Sequence, residues 1–499
     1  MRRCLAFAAA LAVTTLTACG GSGTTVLTPV GPTPTPPGPL IQHVVVIMQE
    51  NRTFDGVFQG YPGANTVSSG VDSKGITRTL VPVSLANPVD INHLRIQFLA
   101  NYDGGKMDGF DKEVFGFCGV SAVCPCPSKD YLNDPSCWAY GTHFYPSGST
   151  DPGKNPDGNS FPLAYAYVPR TEVQPYWDMA AQYAIGDNFF PSNNGPSYVS
   201  HQYMIAGESG HVAEIPSDFN QTWGCDAPPM SFGAPTSTAV LQLVNPPPAY
   251  FPFPTQFGME LPGPFPCFSY STIATQLDNK GISWGFYSPT IGLNLGDIWS
   301  AFDVIYPVRF GADWVRNVKS PESTFFTDLA AGNLPQVSWV MPSFLNSDHA
   351  GSLSTTGPQW VANIVNAVGK SKYWNNTAII IMYDDWGGWY DHVVPPQIAD
   401  PRTGAYEGLG IRTVLIVVSP YSKHNYVSHV QHEVASSLHF IEKIFGLTSI
   451  QTYTADARAD SLDDMFDFTQ APSVFKPIPT TLTVTAIMNQ KAPTKPADY

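Results

Sequence analysis

The chain has 499 residues, and 25 Lys plus Arg stand against 40 Asp plus Glu, a formal charge of −15. Hydrophobic residues make up 43% and aromatics 13%, enough for a large core, which excludes a globally disordered, collagen-like or coiled-coil chain. The acidic balance, with no run of Lys or Arg, argues against a nucleic-acid partner, because such a protein needs a basic footprint.

At the N-terminus, Arg2 and Arg3 precede an uncharged, mostly apolar run over 5–16 that is too short to span a bilayer. It ends in Leu16-Thr17-Ala18-Cys19, which is similar to a bacterial lipobox, whose Cys carries the lipid. Residues 1–19 are therefore expected to be a lipoprotein signal peptide with Cys19 as the lipidation site. Residues 20–39, rich in Pro, Thr and Gly, cannot pack a core and suit an extended tether. These features predict an exported envelope lipoprotein, periplasm-facing or surface-exposed, held to a membrane by its N-terminal lipid. Residues 40–499 are expected to form one folded domain.

The first strand of that domain is predicted at 44–48, a continuous apolar run that leads into Gln49-Glu50-Asn51. A Gly- and Pro-rich stretch with Cys118, Cys124, Cys126 and Cys137 reads as a surface insertion. With Cys225 and Cys267 these make six cysteines in an exported chain, which suggests up to three disulfides of open connectivity. A zinc site over 118–137 is the rival reading, weakened by the lack of paired CxxC spacing. Gly195-Pro196 reads as a tight turn opening a helix over 197–205, where Ser197 is either the helix cap or a reactive hydroxyl. The aromatics between Tyr250 and Tyr287 suit the packing of a Pro-rich insertion or an apolar rim for a lipid. Weaker strands follow at 282–287 and 337–341, a helix at 359–368, strong strands at 378–382 and 414–418, and a helix at 433–445. Unbroken apolar runs suit central strands buried on both faces, so the fold class is α/β.

The strand ends carry the chemistry. One strand runs into Glu50 and Asn51 and another into Asp384-Asp385-Trp386-Gly387-Gly388. Open α/β sheets bind ligands beyond the carboxyl ends of their strands, so both deliver acids to one edge. Three carboxylates and an amide in one place repel unless a cation sits among them, and oxygen donors suit a hard divalent metal. The bland alternative is that these residues only cap strands and form turns.

Gln49-Glu50-Asn51-Arg52-Thr53-Phe54-Asp55 resembles the signature of the bacterial phosphoesterase family, which holds acid phosphatases and phospholipases C within the alkaline phosphatase-like superfamily. Further matches follow in chain order: Gly104-Gly105-Lys106-Met107-Asp108-Gly109-Phe110, Gly195-Pro196-Ser197, Ser347-Asp348-His349, Asp384 through Val393, and Ser419-Pro420-Tyr421-Ser422-Lys423. The resemblance runs over roughly 40–447. It implies a mostly parallel central sheet flanked by helices, carrying the Cys/Pro-rich insertion, with 40–499 as the catalytic domain. It also implies one divalent metal ion on Glu50, Asn51, Asp384 and Asp385, of open identity (Ca, Mg, Mn or Zn). Ser197 is then the nucleophile and His349 the acid for the leaving alcohol. His93 and His392 are implied near the phosphate, and His201, four residues after Ser197, shares its helix face as an outer support. Asp385 stands where many relatives carry Glu, Trp386 where they carry a polar residue, Ala350 where Pro is usual, and Tyr287 where some offer His.

The substrate implied is a phosphate ester. The first expectation is an acid phosphatase acting on phosphomonoesters through a phosphoseryl intermediate. It is preferred because haemolytic phospholipases are usually longer and only about fifty residues follow Leu447. The alternative is a phospholipase C acting on phospholipid phosphodiesters. A third reading, a catalytically silent binding lipoprotein, would need a lost ligand or nucleophile. Oligomeric state is left open by the sequence.

Overall fold

Three uninterrupted apolar runs become the centre of one sheet. The computed structural model describes residues 40–87, 89–113, 162–210, 212, 224–226, 267–290, 298–398 and 408–490. The predicted signal peptide, tether and Cys19, and the cysteines at 118, 124, 126 and 137 with their zinc alternative, lie outside the described residues.

The strands are β1 (His43–Gln49), β2 (Ser69–Val71), β3 (Thr77–Thr79), β4 (Val81–Pro82), β5 (Ala166–Tyr167), β6 (Ala184–Phe190), β7 (Trp284–Tyr287), β8 (Val318–Lys319), β9 (Val337–Val340), β10 (Thr377–Tyr383), β11 (Thr413–Val418), β12 (Tyr426–Ser428) and β13 (His432–Glu433). The main sheet runs β12-β6-β11-β10-β1-β9-β7-β8, with β13 also on β6, while β2–β3 and β4–β5 form small ladders. Every pairing in the main sheet is parallel except those of β11, which is antiparallel to both β10 and β6. Because β11 is flanked by two reversed neighbours, β6 points the same way as β10, β1 and β9. The predicted mostly parallel sheet is therefore present.

Alternation along each central strand feeds two separate cores. Val44, Val46 and Met48 of β1 face one side with Ala378, Ile380 and Met382 of β10. Val45 and Ile47 face the other with Ile379, Ile381 and Tyr383. Helices cover both faces: α4 (Ser197–Ala206) and the helices Ile273–Lys280 and Ser436–Phe445 contribute to the first core, α3 (Arg170–Gln182) and Gly357–Gly369 to the second. This three-layer arrangement satisfies strands that would otherwise expose apolar side chains. The shorter helices α1 (Phe54–Phe58) and α2 (Arg95–Tyr102) flank the edge where β1 ends. No helix among the described residues is long and apolar enough to cross a membrane.

Cys225 and Cys267 form a disulfide across 42 residues, one of the up to three expected. Phe268 and Tyr270 are buried and stacked at 4.9 Å, and the Tyr270 hydroxyl donates to Gln202 of α4 at 2.8 Å. Those two aromatics therefore serve packing, while Phe251, Phe253, Phe257 and Phe265 lie outside the described residues.

Glu442 and Asp456 are both buried, and Asp456 lies against Gly207, which ends α4 in a left-handed turn. Burial, followed by the neighbouring charge of Asp456, pushes the Glu442 carboxyl up to about 9. The folded chain thus keeps a proton that the unfolded chain releases near the ordinary value of 4.5. Its stabilising effect is fully present below that value and is lost as pH rises towards about 9. Glu442→Gln keeps a donor and removes the ionisation. It is expected to flatten the fall in melting temperature between about pH 5 and about pH 9; an unchanged slope would assign the alkaline loss to other groups.

Candidate active site

Register places the acidic residues side by side. Gln49 of β1 pairs with Tyr383 of β10, so Glu50 and Asp384 follow at the same level, and Asp384 N–H donates to the Gln49 carbonyl at 3.0 Å. β6 leads through 191–196 to Ser197, and β9 leads through the short turn Phe344–Asn346 to His349. Four parallel strands therefore deliver Glu50 and Asn51, Asp384 and Asp385, Ser197, and His349 to one carboxyl edge. All six are at most 1% exposed.

Asn51 is the hub. It takes a left-handed φ of 58°, a conformation that Asn tolerates better than most residues. Its backbone N–H donates to Asp384 Oδ1 at 2.9 Å. Gly387 packs on the same peptide, and a Cβ there would lie 2.5 Å from the Asn51 carbonyl oxygen, which explains glycine at that position. The Asn51 amide has two possible orientations. With its carbonyl on the acidic side, Oδ1 accepts from Ser197 Oγ at 3.3 Å and Nδ2 meets His93 Nε2 at 3.1 Å. Turned over, its amino group faces both Asp384 oxygens at 3.2 Å and its carbonyl faces His349 Nε2 at 2.8 Å. The Nδ1 atoms of His93 and His349 lie 2.8 and 2.6 Å from the carbonyls of Ile91 and Ala350. With those protons committed, neutral rings present lone pairs at Nε2, which match an amino group and not a carbonyl. The first orientation therefore suits neutral histidines and collects oxygen donors on one side, a set that fits a hard cation.

Ser197 is the first residue of α4. The cap position belongs to Pro196, so the hydroxyl is not spent on capping and donates to Asp385 Oδ2 at 3.1 Å. One helix face serves the site: Ser200 Oγ donates to the Asp384 carbonyl at 2.7 Å, and His201 Nε2 lies 3.0 Å from Glu50 Oε1, both buried. Ligand atoms of Glu50, His201 and Asp384 lie within 4.8 Å of one another, close enough to hold a metal. His201 is thus a possible nitrogen donor beside the oxygens anticipated from sequence.

His349 is fixed by its neighbours. Asp348 takes φ 64° and accepts from Tyr176 and Tyr383 hydroxyls at 2.6 and 2.7 Å. Burial pushes the Asp348 carboxyl up to about 6, against the lowering effect of those two hydroxyls. The His349 ring packs against Phe344 at 5.4 Å and His93 at 5.7 Å. Trp386 is buried and fills apolar space beside His93 and Phe98, at 6.4 and 5.9 Å. Tyr287 turns its hydroxyl to Asp328 at 2.8 Å.

His392 is placed differently from the expectation. Its Nδ1 lies 2.6 Å from Asp55 Oδ2 and its Nε2 3.0 Å from Asn65 Oδ1, outside the Glu50–Asp384 group. Asp55 and Asp391 flank the fully buried Arg412, whose Nε reaches Asp391 Oδ1 at 3.0 Å and whose Nη2 lies 3.3 Å from Asp55 Oδ1. This ion cluster bolts the segment after β1 to the segment after β10, and His392 belongs to the bolt. Three further histidines also bind protein groups: His43 contacts the Pro335 carbonyl, His429 pairs with Asp187, and His432 sits between Asp460 and Asp464. Sequence reasoning missed Arg95, whose Nε donates to Asn194 at 3.0 Å, and Asn193, whose amide holds Ser200 Oγ at 3.2 Å; both steady the loop before Ser197. Only the Asn-Asn before Gly195-Pro196 hinted at such a loop.

Known proteins bear on this geometry. Phospholipase C A of Mycobacterium tuberculosis is 24% identical over 483 residues, covering 88% of this chain and 80% of that protein. Phospholipase C B of the same organism is 26% identical over 502 residues, covering 88% and 81%. Among solved structures, a protein of the alkaline phosphatase superfamily from Vibrio parahaemolyticus overlaps 58% of this chain and 63% of its own, at 10% identity and a TM-score of 0.32. The phosphoesterase family matches residues 41–448, a span that holds every strand of the main sheet and all the acids and histidines gathered at its edge. The chain belongs to the phosphoesterase family and is a hydrolase of phosphate esters.

Proposed function

We propose that this chain is a metal-dependent phospholipase C, cleaving the phosphodiester of a phospholipid on the diacylglycerol side. The observation that carries the reading is the alignment with relatives named phospholipase C over 88% of this chain. The shortness of the segment after Leu447 no longer favours a phosphatase, since those relatives are themselves covered to 80% and 81%. A silent binding protein is disfavoured by the joint presence of Ser197 and the acids beside it.

In this reading Glu50, Asn51, Asp384 and Asp385 hold one divalent cation, with His201 supporting Glu50. Such an ion, when bound, offsets the charge on the phosphate oxygens and lowers the pKa of a nearby hydroxyl. Ser197 Oγ attacks phosphorus, and its proton has a path along the existing hydrogen bond to Asp385. His349 gives a proton from Nε2 to the departing diacylglycerol oxygen when its ring is doubly protonated, the state matched by the turned-over Asn51 amide, whose carbonyl faces Nε2 at 2.8 Å. His349 and His93 lie at one end of the Asn51 amide and Ser197 at the other, so acid and nucleophile lie across one side chain. The phosphoryl headgroup, now bonded to Ser197, is then attacked by water; His349 takes the water proton and Ser197 regains its own. The products are diacylglycerol and the phosphorylated headgroup. The lipobox-like Cys19 and the tether would hold this activity at the cell envelope.

The test is a pair of rates in a divalent cation: p-nitrophenyl phosphorylcholine against p-nitrophenyl phosphate, with diacylglycerol release from phosphatidylcholine vesicles as confirmation. Faster cleavage of the diester is expected. A monoesterase without diacylglycerol release would overturn this reading and restore the phosphatase.

A further inference from the structure

Residues 449–490 follow the span matched by the phosphoesterase family and return to the catalytic edge. Their route is set by the helix Gly357–Gly369, whose Gln359, Asn363 and Asn366 are spaced to share one face. Gln359 Oε1 accepts from the Leu482 N–H at 2.8 Å, and Asn363 Nδ2 donates to the Leu482 carbonyl at 2.8 Å. Asn366 meets Ile478 twice, donating to its carbonyl and accepting from its N–H, each at 2.8 Å. Beyond this rail the short helix Val484–Met488 is capped by the Thr483 hydroxyl and buries Ile487 in the second core. Gln490 comes next.

Gln490 closes on Asn346 as a reciprocal amide pair. Asn346 Nδ2 donates to Gln490 Oε1 at 2.7 Å, and Gln490 Nε2 donates to Asn346 Oδ1 at 3.3 Å. Asn346 is fully buried in the turn that leads from β9 to His349. Its carbonyl accepts from Gln49 Nε2 at 3.0 Å, and the next carbonyl, that of Ser347, accepts from the Glu50 N–H at 2.9 Å. The Ser347 hydroxyl in turn accepts from the His349 N–H at 3.2 Å. The turn is thus tied by its backbone to the end of β1 and by its Asn346 side chain to Gln490. Asn346 also donates to Ser343 Oγ at 3.0 Å and accepts from Thr356 Oγ1 at 2.8 Å, so loss of Gln490 releases one tie and leaves the turn folded.

We propose that Gln490 is a positioning residue for proton transfer: it holds the turn over 344–349 so that His349 Nε2 stays at the departing oxygen. The proposal rests on His349 as the proton donor and does not depend on which phosphate ester is the substrate. A general acid acts at hydrogen-bond distance, and a displacement of about 1 Å can cost up to about a hundredfold in rate.

Paired rates on the full chain test it. Gln490→Ala should slow cleavage of monomeric dihexanoyl phosphatidylcholine about tenfold, a substrate whose rate does not involve binding to a membrane surface. Cleavage of p-nitrophenyl phosphorylcholine should change less than about twofold, because p-nitrophenolate departs without a proton. If the chain is a monoesterase, glycerol phosphate beside p-nitrophenyl phosphate gives the same comparison. In a His349→Ala background Gln490→Ala should add nothing, since it acts through that ring. Equal losses on both esters, an unchanged rate on the alkyl ester, or a further loss in the His349→Ala background would overturn the proposal. His349→Ala alone separates the two levels of failure. If it does not distinguish the esters, the acid assignment falls and this proposal with it; if it does and Gln490→Ala does not, only this proposal falls.

Discussion

Ser197→Ala is expected to lower phosphoester turnover by about four to six orders of magnitude, the loss typical of removing a covalent nucleophile. Among the described residues the Ser197 hydroxyl is not spent on helix capping, because Pro196 takes the cap position, whereas Ser200 is committed to the Asp384 carbonyl. Alanine is a good helix former at this position, so the fold and any metal binding should persist. Mass spectrometry of enzyme quenched during turnover should find the phosphorylated headgroup on the peptide containing Ser197. A variant that retains turnover would remove the covalent mechanism, whichever ester is the substrate.

Asp384→Asn is expected to strip the bound cation and reduce activity by orders of magnitude, and chelation of the unmodified protein should do the same reversibly. The change removes one negative donor yet keeps an oxygen to accept from the Asn51 backbone, now met at 2.9 Å. The sheet should survive, since β10 is held by apolar side chains on both faces. Elemental analysis beside melting curves separates the two effects: metal content should fall while the melting transition stays cooperative. Full activity in strong chelator, from protein without metal, would sink the metal-dependent reading.

Much of this arrangement was legible before any coordinates. β1, β10 and β11 declare themselves because burial on both faces demands unbroken apolar runs. Glu50, Asn51, Asp384 and Asp385 are legible for the complementary reason, as polar residues placed directly where such runs stop. β6 was hidden. Its Ala-Ile-Gly-Asp-Asn-Phe-Phe sequence breaks the apolar run with Gly, Asp and Asn, residues that strands disfavour, and no strand is predicted there. In the fold the Asp187 carboxylate is 2% exposed and is satisfied by the Asn65 N–H at 2.7 Å and by His429 at 2.9 Å. The reversed direction of β11 left no mark either, since a strand buried on both faces looks the same in both directions. His392 was implied near the phosphate by the family resemblance and not by any local pattern. The partners it meets in the fold, Asp55 and Asn65, are 337 and 327 residues away, beyond the reach of any local pattern.

The pairing of β1 with β10 also sets the order in which the enzyme comes into being. Residues 43–49 find their neighbours at 377–383, so a chain leaving the ribosome must be extended by more than three hundred residues before its first strand is paired on that side. Such distant pairings form slowly, because the intervening chain pays for closure before any contact repays it. Glu50 and Asn51 are made early but meet Asp384 and Asp385 only near the close of synthesis, and the Asp55–Arg412–Asp391 cluster tightens later still. A nascent fragment ending before 384 carries Ser197 without the acids that face it. The acidic edge of the sheet is therefore completed only when the last third of the chain has joined the first strand.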